Sequence, residues 1–387
     1  MSNSVSEFFS KDGVRKFKSG VKSFAERQAV KVAAASMVLA GVFAGARGQN
    51  SQEQTQPELV TAFAVTEQGD TLCSYVAEKT DSASFARLQN LVNTATKSQT
   101  GREVLKSISE QGTLLTIGDA GMNTIGYFMP GENMIRLNDG FNDATLQSCL
   151  VHEGKHSVQN FSLGRALDAT NSFYTNTLIS RVMEADAVAT QTKFSYEMAQ
   201  QGDSAAWKSL QAEHKGITDT FEACAKKYGK DKKKTMRKTM LEWYKDKAYA
   251  GLYDASLIQF HTSVAVRASD EEIGDCFKDG INTDELIRAV CKQGGKTYAK
   301  DGDLLTTPET AYLSRSNYMD IQMAATFAKE RTGYEDVSAS FMYPLEKDGT
   351  VSKITYVQED QQEARQAKQE KQVKVAAVSI VKQARTR

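Results

Sequence analysis

The chain has only 4 histidines, and two of them stand four residues apart in Val151-His152-Glu153-Gly154-Lys155-His156. On a helix, residues four apart project from one face, a turn above each other. His152 and His156 can therefore offer two imidazole nitrogens to a single metal ion. Glu153 is turned about 100° around the axis from His152. Its carboxylate then lies beside the ion rather than on it, where it can take a proton from a metal-bound water. Two imidazoles with a neighbouring base form the core of a zinc hydrolase site. Two details weigh against this pattern. Gly154 costs a helix about 1 kcal/mol relative to alanine, and Lys155 puts a charge where zinc peptidases usually keep none. Both positions can face away from a metal. The competing reading is a pair of helical histidines, one exposed and one in the core, with an incidental glutamate.

Catalytic zinc usually takes three protein ligands and a water. The next histidine after His156 is His214, too distant for a metzincin-type extension. A carboxylate from a following helix is the alternative, and Ser180-Arg181-Val182-Met183-Glu184-Ala185-Asp186-Ala187 lies in a helical stretch reaching about Gln201-Gly202. Small residues at Ala185, Ala187 and Ala189 would let this helix approach the first closely. Glu184 is the candidate third ligand, with Asp168 and Asp186 as substitutes. Asp186 is also a candidate acceptor for a ligand imidazole N–H, fixing its tautomer. Arg181 offers a different account, since an exposed ion pair three residues apart would explain both Arg181 and Glu184. The oxyanion of an acyl-transfer reaction needs a further donor. Tyr249, Tyr253, His214 and His261 are candidates, and the sequence does not choose among them.

The elements that must position these groups are readable in outline. Thr113–Ile117 reads as a strand, and Thr124–Met129 with Met134–Asn138 as a hairpin about Pro130-Gly131. Asn142 or Asp143 can cap the helix that carries the histidines. Strands followed by an H-E-x-x-H helix is the order of a zincin, in which an edge strand lies along the cleft and can pair with an extended substrate. Helices are expected from Glu58 to about Ile108, from Ala205 through Thr262, around Asp284 to Val290, and from Pro308 to Lys329.

The combination resembles a family of bacterial metallopeptidases of gluzincin type, catalogued as a domain of unknown function. The span runs from about Thr100 to Asp254, less than half the chain. The resemblance is carried by Gly126-Tyr127, Ile135-Arg136-Leu137-Asn138, Leu150-Val151-His152-Glu153, His156 and Gln159. Arg181, Glu184, Asp186 and Ala187 follow, then Trp243, Asp246, Tyr249, Tyr253 and Asp254. It implies one zinc ion on His152, His156 and Glu184, with Glu153 as base. The Gly154-Lys155 centre departs from the family's common pattern.

Length and composition set the bounds. The 387 residues fit one large domain or two smaller ones. Basic and acidic residues balance at 48 each, so nothing pulls the chain toward nucleic acid or anionic lipid as a whole. The run Lys232-Lys233-Lys234 with Arg237 and Lys238 lacks aromatic or glycine interleaving and reads as a solvated helix face. The 5 cysteines include no C-x-x-C pair, which argues against a zinc knuckle or thioredoxin-type site. Cys276 and Cys291 could bridge in an exported protein. Lys11 to Lys31 is basic, Val32 to Ala46 is apolar, and the run ends in Ala44-Gly45-Ala46. That grammar is of a bacterial export signal; a retained anchor and a soluble helix are the alternatives.

The expected molecule is α+β, a mostly helical zincin-like domain with a small β-sheet preceding the H-E-x-x-H helix. Residues 1–50 form the basic and signal-like segment. Residues 51–345 form the zincin-like domain with a helical extension, its metal-site core at 100–254, and 346–387 a charged tail. The expected molecule is exported, periplasmic or secreted, with a membrane-anchored or cytoplasmic protein as the alternatives. Its expected function is zinc-dependent hydrolysis of peptide bonds in a peptide or protein substrate, with no nucleic-acid partner and with membrane contact through residues 1–46. The rivals are a zinc-binding but non-catalytic protein and a metal-free helical module of the cell envelope.

Overall fold

Burial alternates along Glu58–Val65 (β1): Ala62 and Ala64 are buried, while Leu59, Thr61 and Phe63 are exposed. That period of two marks a strand with one covered face. β1 turns at Gly69 and pairs antiparallel with Thr71–Lys79 (β2). The helices expected from Glu58 onward therefore start only at Ser82–Ala95 (α1) and Gln99–Glu110 (α2). The alternating run and its hairpin partner replace the helix expected over this stretch. A computed structural model describes residues 58–366 and 369, apart from 80, 120–123, 165, 166 and 230. The basic stretch and the apolar run of residues 11–46 lie outside the described residues, as do residues 367, 368 and 370–387 of the charged tail.

Leu114–Gly118 (β3), Gly126–Met129 (β4) and Met134–Asn138 (β5) complete one mixed sheet in the order β1-β2-β3-β5-β4. β2 with β3 and β3 with β5 are parallel, and β4 with β5 is antiparallel, so β4 is an outer strand. The motif helix, Asp143–Leu163 (α3), packs on β4 and β5 and on α1 and α2. Ala62, Ala64, Tyr75, Ala77, Leu115, Ile117, Ile135 and Leu137 from the strands meet Leu88, Leu91, Val104, Ile108, Leu146 and Leu150 from the helices in one apolar core.

Further helices include Phe173–Gln200 (α4), Ala205–Glu213 (α5), Lys215–Tyr228 (α6), Lys232–Trp243 (α7), Lys247–Arg267 (α8) and Thr283–Val290 (α9). The short strands Lys292–Gln293 (β6) and Lys296–Thr297 (β7) pair after α9. The chain is thus α+β and mostly helical, with its small sheet ahead of the motif helix. Among the described residues no helix is long and apolar enough to cross a membrane.

The contacts divide the chain into two units. The first takes the residues up to Asp168, Asn176–Phe260 and Ile281–Gly302, and holds the sheet and α3. The second takes Ala169–Thr175, His261–Gly280 and the residues from Asp303. In the second, Tyr312–Ser314 (β8) pairs with Tyr343–Leu345 (β9), and Ser314 caps Arg315–Thr332 (α10). The helix expected from Pro308 thus begins seven residues later. The second unit's core joins Ala265, Ile273, Cys276, Phe277, Ala324 and Ala328. All five cysteines are free thiols, so Cys276 and Cys291 form no bridge.

Gly154 marks where α3 presses on α2. A Cβ there would stand 2.5 Å from Val104 Cγ1 and 2.8 Å from Ile108 Cδ1. Valine has little rotamer freedom in a helix with which to retreat. The glycine's propensity cost is therefore the condition for close packing. Gly154→Ala should destabilise the protein by about 1–3 kcal/mol through overpacking, instead of stabilising it as helix propensity alone would have it. Denaturant midpoints of the two proteins decide the sign.

Candidate metal centre

Two helices carry the converging groups, and each is fixed by contacts of its own. Asn142 caps α3 by accepting the Thr145 N–H at 3.0 Å. Arg87 of α1 donates to Asp143 Oδ1 at 2.7 Å, to Asp139 O at 2.7 Å, and to Phe141 O, so the loop entering α3 is clamped to α1. α4 is buried at every position from Thr175 to Thr190, and Ala185, Ala187 and Ala189 are fully covered. Small side chains there permit close approach by neighbouring helices.

Arg181 does not form an exposed pair with Glu184. Both are about 1% exposed, and the Arg181 guanidinium meets Asp254 of α8 at two points, Nε–Oδ1 3.0 Å and Nη2–Oδ2 2.7 Å. Burial pushes the Asp254 carboxyl up, and the guanidinium opposes that. The pair sets α8 against α4, and it puts Tyr253, the neighbour of Asp254, on Glu184: the Tyr253 hydroxyl donates to Glu184 Oε2 at 2.8 Å.

His152, His156 and Glu184 present ligand atoms that all lie within 4.8 Å of one another. His156 Nε2 is 3.1 Å from His152 Nε2 and 3.1 Å from Glu184 Oε1, and His152 Nε2 is 3.6 Å from Glu184 Oε2. Ligand atoms at tetrahedral zinc distances are about 3.3–3.4 Å apart, so these separations suit such an ion. Asp168 is tied instead to Asn176, whose Nδ2 donates to Asp168 O at 2.9 Å.

The hydrogen bonds behind the rings make the fit chemical as well as geometric. His156 Nδ1 faces Gln159 Oε1 at 2.9 Å. The Gln159 amide is oriented by its own donors, Nε2 to Met183 O at 2.9 Å and to Asp186 Oδ2 at 2.7 Å. Its oxygen must then accept, so His156 Nδ1 carries hydrogen. His152 Nδ1 likewise faces Gln191 Oε1 at 3.2 Å, with Gln191 Nε2 on Ser148 Oγ. Neutral rings so held turn two bare Nε2 lone pairs toward each other beside a carboxylate. Only a proton or a cation between them relieves that arrangement. Asp186 is thus not the direct acceptor that the sequence suggested; Gln159 stands between it and the imidazole.

Burial alone would lower the basicity of His156, but the charge and hydrogen bond of Glu184 outweigh it and raise its pKa to about 9. Burial likewise works against the Glu184 carboxylate, yet the two imidazoles hold it well below the usual carboxylate range. His152, at 13% side-chain exposure against 4% for His156, is where the group opens to solvent.

Glu153 is 2% exposed. Its Oε2 is buried with no hydrogen-bond partner among the described residues, and Cys149 Sγ lies 4.0 Å from Oε1. Burial raises its pKa, opposed by His152 and His156 and by a hydrogen bond from the Phe128 backbone amide. Phe128 lies on β4. The Asn138 N–H bonds Ile125 O at 2.9 Å, and strand alternation then turns Tyr127 and Met129 toward β5 and Gly126 and Phe128 toward the open edge. β4 lies close to α3 because Gly126 has no side chain: a Cβ would stand 2.8 Å from Cys149 Sγ.

The four oxyanion candidates separate. Tyr253 is committed to Glu184. The Tyr249 hydroxyl is 3.4 Å from that of Tyr253. The His214 ring packs edge-on against Tyr249, and burial and His152 lower its pKa. His261 belongs to the second unit, where it stacks on Phe277 and meets Phe173 edge-on. A cavity of about 460 Å³ lined by Arg102, Lys193, Tyr196, Glu197, Phe221 and Met236, among others, includes none of the predicted site residues. Two contributors escaped the sequence reading, Gln191 and Tyr298, and neither had a local signal. Gln159 was singled out by the resemblance without a role, which its position three residues after His156 could have suggested.

The raised pKa of His156 has a measurable consequence. Stabilisation by its proton is complete below the ordinary value of 6.5 and lost as pH rises through about 9. Glu184 is the other half of the same pair and adds no second term. Chelator-treated protein should lose on the order of 1–3 kcal/mol of stability between these pH values. Protein loaded with a divalent metal should not show this loss. Denaturant titrations of both forms across that range test the expectation.

No curated protein and no solved structure matches the chain. A family model described as "Putative metallopeptidase family (DUF6782)" matches residues 65–298, a span that contains β2 to β5, α3, α4 and the converging groups. The match covers more than half of the sequence, and the chain belongs to that family.

Proposed function

We propose that the protein is a zinc-dependent peptidase, with His152, His156 and Glu184 as metal ligands and Glu153 as the base. The observation that carries this reading is the pairing of two unlike features. Two imidazole Nε2 atoms and a carboxylate converge at 3.1–3.6 Å, and beside them a buried glutamate keeps one oxygen without a partner. A purely structural zinc site closes with four protein ligands and has no use for an unpartnered carboxylate. Three ligands and a free base suit a hydrolytic site.

When bound, zinc supplies Lewis acidity and makes water a usable nucleophile near neutral pH. The chain's own groups do the rest. Glu153 Oε2 accepts the proton of the attacking water and returns it to the leaving amine. The outer edge of β4 offers the Gly126 N–H and the Phe128 carbonyl to an extended peptide as an added strand, while the Gly126 carbonyl accepts from Thr124 and the Phe128 N–H serves Glu153. Tyr253 holds Glu184 through its hydroxyl, leaving Tyr249 and His214 as donors for the developing oxyanion. Substrate approaches on the side of His152, the more exposed ligand.

Glu153→Gln keeps the shape and removes the base. It should retain one zinc per chain and lower peptide cleavage by at least about 100-fold. His156→Ala should lose the metal itself. Metal analysis of both variants, beside cleavage of a peptide library, separates the outcomes. Undiminished cleavage by E153Q would remove Glu153 from the mechanism, and full zinc content in H156A would remove the ligand set.

A further inference from the structure

Lys155 is 3% exposed and lies on the motif helix between the ligands, yet it has no part in the reading above. Its ammonium is 3.0 Å from Asp186 Oδ2 and donates to Lys292 O at 2.6 Å and Val290 O at 3.4 Å. Asp186 is fully buried. Its other oxygen, Oδ1, accepts the Tyr298 hydroxyl at 2.5 Å, and Oδ2 also accepts Gln159 Nε2 at 2.7 Å. Gln159 in turn presents Oε1 to His156 Nδ1 at 2.9 Å. On α3, Gln159 follows Lys155 by four residues and His156 by three, so both spacings bring side chains together on one side of the helix. Each partner is satisfied in one orientation only. The Asp186 carboxylate can only accept, so the Lys155 ammonium and the Tyr298 hydroxyl both donate to it. Asp186 then accepts from Gln159, which fixes the amide, and the amide oxygen fixes the imidazole.

We infer that Lys155 and Tyr298 are positioning residues of the metal centre: they hold Asp186 so that Gln159 locks His156 in the tautomer whose bare Nε2 meets the ion. The inference rests on the metal-site reading and extends it to residues outside the ligand set. It makes the charge at the motif's centre part of the site's construction. Groups behind a metal-ligating imidazole tune affinity by about 10–100-fold, which is the scale of effect expected here.

The test is a double-mutant cycle on zinc affinity, measured by competition with a chromophoric chelator on the full chain. Gln159→Met removes the acceptor from His156 at nearly constant volume and should weaken zinc binding about 10–100-fold. Lys155→Met and Tyr298→Phe should each weaken it by about 10-fold alone. On the Q159M background either should change affinity by less than about twofold, because the link to His156 is already cut. A merely structural role for Lys155 gives losses that multiply regardless of Gln159. Should K155M not fold, Y298F, which removes one hydroxyl and no charge, carries the cycle alone. Wild-type affinity in both K155M and Y298F, or multiplicative losses with Q159M, would overturn the relay while leaving the metal site standing. Failure of the unaltered chain to take up zinc would overturn the metal-site reading first, and the relay with it.

Discussion

A buried carboxylate and two imidazole edges stay together only if positive charge lies among them. Around the site the other buried charges are already matched: Asp254 meets Arg181, and Asp186 meets Lys155. Glu184 and Glu153 have no such cation. Glu184 is held by imidazoles and a tyrosine hydroxyl, and Glu153 by one backbone amide. Two negative charges without counter-ions in a dry interior are far too costly to be incidental. Protonation answers part of that cost in the metal-free chain, which is why the pKa values of His156 and Glu153 both stand above their ordinary values. A divalent cation answers it more fully, and it does so without consuming the groups needed as ligands and base.

The fold serves that charge balance by stacking supports behind each ligand. α4 is buried around its whole circumference through the site, so Glu184 cannot reach water instead of the imidazoles. The Arg181–Asp254 pair, one helical turn from Glu184, fixes α8 and brings Tyr253 to the free carboxylate oxygen. The sheet contributes through its outer strand. β4 has one edge unpaired, and the Phe128 amide on that edge reaches Glu153. On the proposed function, the strand that would align a substrate backbone is the same one that orients Glu153.

What could be read in advance was what is local. His152, Glu153 and His156 obey the helical period within five residues, and any helix over that stretch brings the two histidines to one face. Glu184 was legible through the alanines that follow it, because close packing demands small neighbours. The strands β3, β4 and β5 and the Asn142 cap follow from short patterns. Long-range partners were not legible. Arg181 pairs with Asp254 across 73 residues and Asp186 with Tyr298 across 112, and no spacing rule connects them. β1 and β2 were misread because their alanines and glutamates suit helices, while the alternation that makes them strands matters only once a helical layer covers one face. Asp186 was read as the direct acceptor of a ligand-candidate imidazole, whereas Gln159 stands between them; the spacing of Gln159 from His156 was visible, but its bond to a carboxylate on another helix was not.

The two residues at the motif's centre looked like defects, and each is explained by a different neighbour. Gly154 faces α2, where Val104 and Ile108 leave no room for a Cβ. Lys155 faces Asp186 and the carbonyls of Val290 and Lys292, which need a donor. His152 and His156 face Glu184, and Glu153 faces β4. From 152 to 156 the helix thus answers to four surroundings, and all of these positions but His152 are buried because they are already in use. In a helix with a solvent-facing side, the central residues of an H-E-x-x-H sequence are constrained weakly. Here only His152 opens toward solvent and the centre of the motif is covered, so a charge there must be neutralised internally. The nearest carboxylate able to do that is the one that orients a ligand. The departure from the usual pattern and the depth of the site are, on this reasoning, one fact.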